Sequence, residues 1–216
     1  MTSAGASAAI RIGLGFRALR GGAVVVGVAL EAAAPRAMLS TFLATAAEGD
    51  RLSLEPYHVA YEMERGPGGA PSLEAAAAVA EGRRRQDQLA ANSLAEVIRK
   101  ARDVGYDPVV AALLINRAGW MTDLLAHSLS APEHPPVTEG LAVREALRFA
   151  FGRVGLDAAE LDEKSLPERA SAQLRLSSAD LDARLKAFGA DVGPPWRKEQ
   201  KLACLAAWVA LATAPK

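Results

Sequence analysis

A single cysteine, Cys204, rules out an intramolecular disulfide, and its setting in the apolar run KLACLAAWVALA reads as a small buried thiol in a chain suited to a reducing cytosol. Aromatic residues make up only 5% of the sequence, which weakens any reading that needs many stacking rings. The three histidines, His58, His127 and His134, are scattered with no close His/Cys/Asp/Glu set, which argues against a metal site and against any cofactor held by one. Charge of one sign is also missing: Lys plus Arg and Asp plus Glu each total 25, so the formal net charge at pH 7 is zero. No global field draws in nucleic acid or an anionic membrane, and a charged partner would need a local patch. The longest apolar runs, AVVVGVAL and LACLAAWVALATA, fall short of the ~20 residues a membrane helix requires. GxSxG, P-loop and HExxH motifs are absent, as is any repeat of about 20 to 50 residues.

What the chain does have is glycine in a suggestive place. Residues 10–31 read IRIGLGFRALRGGAVVVGVALE, which resembles a dinucleotide-binding loop until its period is examined. Ile10, Ile12, Leu14 and Phe16 alternate with Arg11, Gly13, Gly15 and Arg17, the two-residue period of a strand. A turn at Arg20–Gly22 leads into a β-branched run over 23–30, and AMLSTFLAT at 37–45 supplies a third strand. A Rossmann fingerprint needs strand, glycine loop and then helix, whereas these glycines lie within and between strands. Gly13, Gly15 and Gly27 instead predict close backbone approach or a bulge. Arg11, Arg17 and Arg20 ahead of AVVVGVAL, with EAAAP behind it, imitate a secretory signal, but the strand alternation and Glu31 speak against one.

With 50% hydrophobic residues in 216, the composition supports one core and one domain over 1–216. Residues 46–71 are expected as an irregular insertion or loop, with a short strand or helix around Tyr57 to Met63. Ser72 to about Val104 predicts a long helix with Ala90, Leu94, Val97, Ile98 and Ala101 on its apolar stripe. VVAALLIN at 109–116 predicts a central parallel strand covered on both faces. A short helix in WMTDLLAHSL follows, and then the loop SAPEHPP, in which His134 is a solvated residue. A helix from VTEGLAVREALRFAFGRVG comes next, capped by Thr138 and stopped by Gly155. AELDEKSL suggests a last strand. The helices SSADLDARLKAFG and RKEQKLACLAAWVALA complete the chain.

This order, a three-strand antiparallel meander followed by alternating helices and parallel strands (β-β-β-α-β-α-β-α), resembles the α/β ribonuclease-H-like fold. Within it, IGLG on the first strand, VVAALLIN on the fourth and ARLKAFGADVGPPWRKEQKLACLAAWVAL at the end resemble the RuvC-type Holliday-junction resolvases. The resemblance implies a cluster of carboxylates around two metal ions that cleave a phosphodiester. It places those acids at Gly15, Asn116, Lys198 and Lys201, none of which is acidic. A shift of one residue would bring in Glu199. The expectation is therefore a degenerate active site with no metal.

Two kinds of function remain open. One is a non-catalytic module binding nucleic acid through a local basic patch, drawn from Arg83, Arg84 and Arg85 in EGRRRQ and from Arg197, Lys198 and Lys201. The other is a protein-interaction or self-assembling module, with no nucleic-acid role. An enzyme built on unrecognised groups such as Asn116 with Asp123 is a third. Trp208 is read as core, and Trp196 as either a stacking surface or a hydrophobic staple, with Trp120 the remaining indole. The acidic stretch with Asp157, Glu160, Asp162 and Glu163 is read as a solvated edge or a weak cation site.

Overall fold

A computed structural model describes residues 9–31, 34–116, 121–131, 133 and 136–215. The alternation at the amino terminus becomes β1 (Ile10–Leu19), which turns through Gly21 into β2 (Gly22–Glu31) and continues to β3 (Ala34–Ala44). The long amphipathic segment forms α3 (Leu73–Asp103), and the buried apolar run forms β4 (Tyr106–Ile115). A short fifth strand, β5 (Ala158–Asp162), follows helices α4 (Leu124–Ser130) and α5 (Val137–Val154). The sheet order is β3-β2-β1-β4-β5, with β1 to β3 antiparallel and β1, β4 and β5 mutually parallel.

Helices cover both faces. Ile12, Leu14 and Phe16 point from β1 toward α3 and α5, where Leu94, Leu147 and Phe151 close the core, with Phe16 and Phe151 edge to face at 4.9 Å. The opposite face carries Val24, Val26, Ala112 and Leu114 against α6 (Leu166–Leu174), α7 (Ser178–Val192) and α8 (Lys198–Thr213). Helix α8 is apolar almost all round because it lies between the sheet and its neighbouring helices, and Ala203 to Leu211 are buried. The expected core position of Trp208 holds, 5.6 Å from the Phe188 ring. Cys204 is fully buried, which pushes its thiol pKa well up.

The glycines of β1 explain how α8 sits so low. A Cβ on Gly15 would overlap the Ala203 carbonyl oxygen and stand 2.7 Å from Ala207 N, and one on Gly13 would stand 2.6 Å from Ala207 O. Backbone therefore meets backbone there, which only glycine permits. At Gly27 a register shift between β2 and β3 marks the irregularity expected of it.

Several local expectations are corrected. In the segment 46–71, α2 (Pro56–Glu62) is the helix alternative expected around Tyr57 to Met63, while α1 (Arg51–Leu54) replaces expected loop, with Asp50 capping it by accepting from Leu52 N. Helix α6 was not expected at all: it buries only Leu166 and Ala170, too sparse a stripe to stand out. Thr138 does not cap α5, since the helix begins after Pro136 and Thr138 lies buried within it. Trp120 and His134 lie outside the described residues. No helix among the described residues is long and apolar enough to cross a membrane.

Candidate functional site

The parallel strands β1, β4 and β5 end on the same side of the sheet, and side chains from five segments converge at that rim. In an open sheet this is where ligands are received, because the loops and helix ends beyond the strands leave a crevice. Arg17, near the end of β1, lies on the α8 side of the sheet, in the same alternation as Gly13 and Gly15. Glu163 is fixed just past β5 by its backbone N–H, which donates to Ile115 O at 2.9 Å. Glu199 stands in the first turn of α8.

Arg17 joins them. Its Nε and Nη2 donate to the two carboxylate oxygens of Glu163 at 3.1 and 3.0 Å, and its Nη1 lies 3.5 Å from Glu199 Oε1. The Arg17 side chain is only 19% exposed, so this is a partly desolvated, bidentate arrangement rather than a loose surface pair. Nearby, Arg148 on α5 donates to Glu160 of β5 at 2.5 Å. Arg144, also on α5, donates through Nη1 to Asn116 Oδ1 at 2.7 Å, at the exposed end of β4. Burial, above all, lowers the pKa of Arg144 from its ordinary value; Glu163 opposes that, while Arg148 and Arg17 reinforce it.

The structure distributes the sequence-selected residues unevenly. Lys198 and Lys201 do not face Arg17. They line a groove of ≈ 520 Å³ with α6 and α7, beside Leu181, Leu185 and Leu205. Glu199 is the α8 side chain that reaches the rim. Arg197, Lys198 and Lys201 are exposed and make no ion pair among the described residues. Arg83, Arg84 and Arg85 sit on α3, against the other face of the sheet, so the two basic groups do not share a helical layer.

Each of the three is already engaged by protein. Arg83 bonds to Tyr57 Oη at 3.1 Å and pairs with Glu145 at 2.5 Å. Arg84 and Arg85 share Glu81 at 2.7 and 2.8 Å, and Arg85 also reaches Asp50 at 3.1 Å. Hydrogen bonds from Arg84 and Arg85 hold the Glu81 carboxyl down at about 2.

Other candidates resolve into structural roles. Asp123 accepts from Ala126 N at 2.9 Å and caps α4, while Asn116 accepts from Arg144, so each has a different local role. Trp196 donates from Nε1 to Leu185 O at 2.7 Å and lies against Gly189, which ties the α7–α8 connection down. His58 pairs with Glu62 at 3.1 Å. Among the described residues no group of three or more His, Cys, Asp or Glu side chains could hold a metal ion. Sequence reasoning passed over Arg17 and Arg144, since neither stands in a motif.

A five-strand mixed sheet that begins with an antiparallel meander, continues in parallel strands and carries helices on both faces defines the ribonuclease-H-like fold. No protein-family model matches the sequence, and no curated protein matches it. Among solved structures it is similar to the Thermus thermophilus RuvC structure, with a TM-score of 0.50 and 10% identity over 94% of this chain and 93% of that one. The T. thermophilus RuvC in complex with Holliday junction substrate matches with the same values. At that identity the likeness is one of fold.

Proposed function

We propose that this chain is a ribonuclease-H-like module, one domain over residues 1–216, that holds nucleic acid without cleaving it. The observation that carries the reading is Arg17, whose guanidinium pairs with both Glu163 and Glu199 at the carboxyl rim of the sheet. A two-metal site concentrates about four positive charges within a few ångströms and needs several carboxylates to hold them. Here the rim carboxylates nearest β1 are already neutralised by a fixed, non-exchangeable cation. Gly15, where the RuvC resemblance would put an acid, has no room for a side chain beneath α8. Asn116, the next such position, is turned to Arg144. These residues do not fit a pair of metal ions.

Binding rests on chemistry that needs no metal. Arg197, Lys198 and Lys201 leave the rim along the first turns of α8 without carboxylate partners, a placement suited to phosphates. Arg83, Arg84 and Arg85 contribute less, because each would have to abandon an internal pair. The similarity to a RuvC bound to a Holliday junction supports a four-way junction as the first nucleic acid to try.

The test is fluorescence anisotropy with labelled single-stranded and four-way-junction oligonucleotides at low salt, followed by incubation with Mn²⁺. Binding that weakens steeply with salt, without cleavage, is the expected result. Absence of binding at micromolar protein, or cleavage that disappears in Glu199→Gln, would overturn the reading.

One observation favours a second reading, self-assembly. The edge strand β3 presents Phe42, 50% exposed, beside a groove with Val97, Leu39 and Val104, the last 68% exposed. An open, apolar strand edge of this kind pairs readily with another chain. A dimer by light scattering that Phe42→Lys dissociates would support it.

A further inference from the structure

Arg144 is the one buried arginine among the described residues, and it lacks a carboxylate. Its side chain belongs to a residue only 8% exposed, its Nη1 is bonded to the neutral Asn116, and its Nε has no hydrogen-bond partner. Among the described residues no ion pair within 4 Å involves it. The acids that act on it electrostatically are committed elsewhere: Glu163 to a bidentate pair with Arg17, and Glu160 to Arg148. A buried carboxyl or amine in such a place would shed its charge, but a guanidinium stays protonated at any physiological pH. An uncompensated buried charge is costly, so its retention points to a counter-charge that arrives from outside.

We propose that Arg144, oriented by Asn116, is the seat for one phosphoryl group at the carboxyl end of β4. The proposal rests on the nucleic-acid reading for the source of that group, a backbone phosphodiester, although free phosphate has the same recognition chemistry. Asn116 fixes one edge of the guanidinium by accepting from Nη1, which leaves the Nε edge to receive oxygens in the planar fork that suits phosphate. Asn116 is exposed, so the guanidinium lies one residue from solvent, with its Nε covered in the free protein. Arg17 and Arg148 add positive potential, while Glu163 and Glu160 stop the rim from being a general anion sink.

Asn116→Asp tests this without removing the arginine, since it places a carboxylate where the anion's charge is missing. Thermal unfolding is followed in chloride and in inorganic phosphate at matched ionic strength, for the parent, Asn116→Asp and Arg144→Gln. The parent is expected to gain several degrees in phosphate. Asn116→Asp is expected to be the more stable protein in chloride and to lose the phosphate response. In anisotropy with a labelled single strand, both variants are expected to bind about tenfold more weakly, with the salt slope reduced by about one. A phosphate response equal in parent and Asn116→Asp, or absent from the parent, overturns the seat. If the parent binds the strand and both variants bind it equally, the seat falls while the nucleic-acid reading stands. If no oligonucleotide binds but the phosphate response is lost in Asn116→Asp, the seat stands and that reading falls.

Discussion

Glu139 and Arg144 are buried little more than a turn apart on the same helix, and they answer the cost of burial in opposite ways. Glu139 faces the start of α2, where it accepts from His58 N at 2.9 Å and serves as a cap supplied from across the fold. Burial pushes its carboxyl up to about 7, against hydrogen bonds from the backbone of His58 and Tyr57 and with help from Glu55. It can therefore become neutral. Arg144, at the rim, has no such exit. The pair teaches that a buried acid is consistent with a purely structural role, whereas a buried arginine without a carboxylate asks what else comes to meet it. The arginine cluster on α3 completes the contrast: Arg83, Arg84 and Arg85 are conspicuous in the sequence, yet each is satisfied internally.

The largest effect is expected at the floor of the rim. Gly15→Ala would force α8 away from β1 and move Glu199 relative to Arg17, costing about 3 kcal/mol, at the upper end for overpacking. In a protein of this size that lowers Tm by roughly 6–12 °C, measurable by calorimetry. A change below about 2 °C would mean that α8 is not pressed on the strand.

Next comes the pH dependence of Glu139. Its folded pKa of about 7 lies above the unfolded value of 4.5, so the folded state holds the proton more tightly. The stability it contributes is fully present below about pH 4.5 and is lost as pH rises through about 7. Glu139→Gln keeps an acceptor for His58 N and removes the titration. It should gain on the order of 2 kcal/mol over the parent at pH 8 and nothing at pH 4, by urea unfolding across pH.

Smaller still is the effect of Lys198→Ala with Lys201→Ala. Oligonucleotide affinity should fall about tenfold and the salt slope by about two, if both lysines meet phosphates. The smallest effect is expected of Arg84→Ala, whose exposed pair with Glu81 is worth less than about 0.5 kcal/mol and whose loss should change binding less than twofold. A larger loss for Arg84→Ala than for the lysine pair would return the interface to α3.

Much of the scaffold is legible in the sequence because its signals are local. The alternation at Ile10–Phe16 and the RGG turn define the first hairpin, and VVAALLIN declares a buried central strand. The glycines at 13 and 15 announce a close backbone approach, and the structure supplies α8 as what approaches. Helix α6 is missed because Pro167 reads as a break and only two of its residues are buried. The rim is less legible for another reason. Arg17 and Glu163 are 146 positions apart, and nothing in either neighbourhood announces the other. Arg17 reads as a charge before an apolar run, and Glu163 as part of a solvated acidic edge, until the parallel pairing of β1, β4 and β5 brings them together.

The central claim is that fixed guanidinium groups occupy the rim where this fold can otherwise gather metal ions, and titration calorimetry with Mn²⁺ on the protein alone tests it most directly. The account expects no saturable uptake into the millimolar range, for the parent and for Glu199→Gln alike. Saturable uptake by the parent that is lost in Glu163→Gln or Glu199→Gln would contradict it.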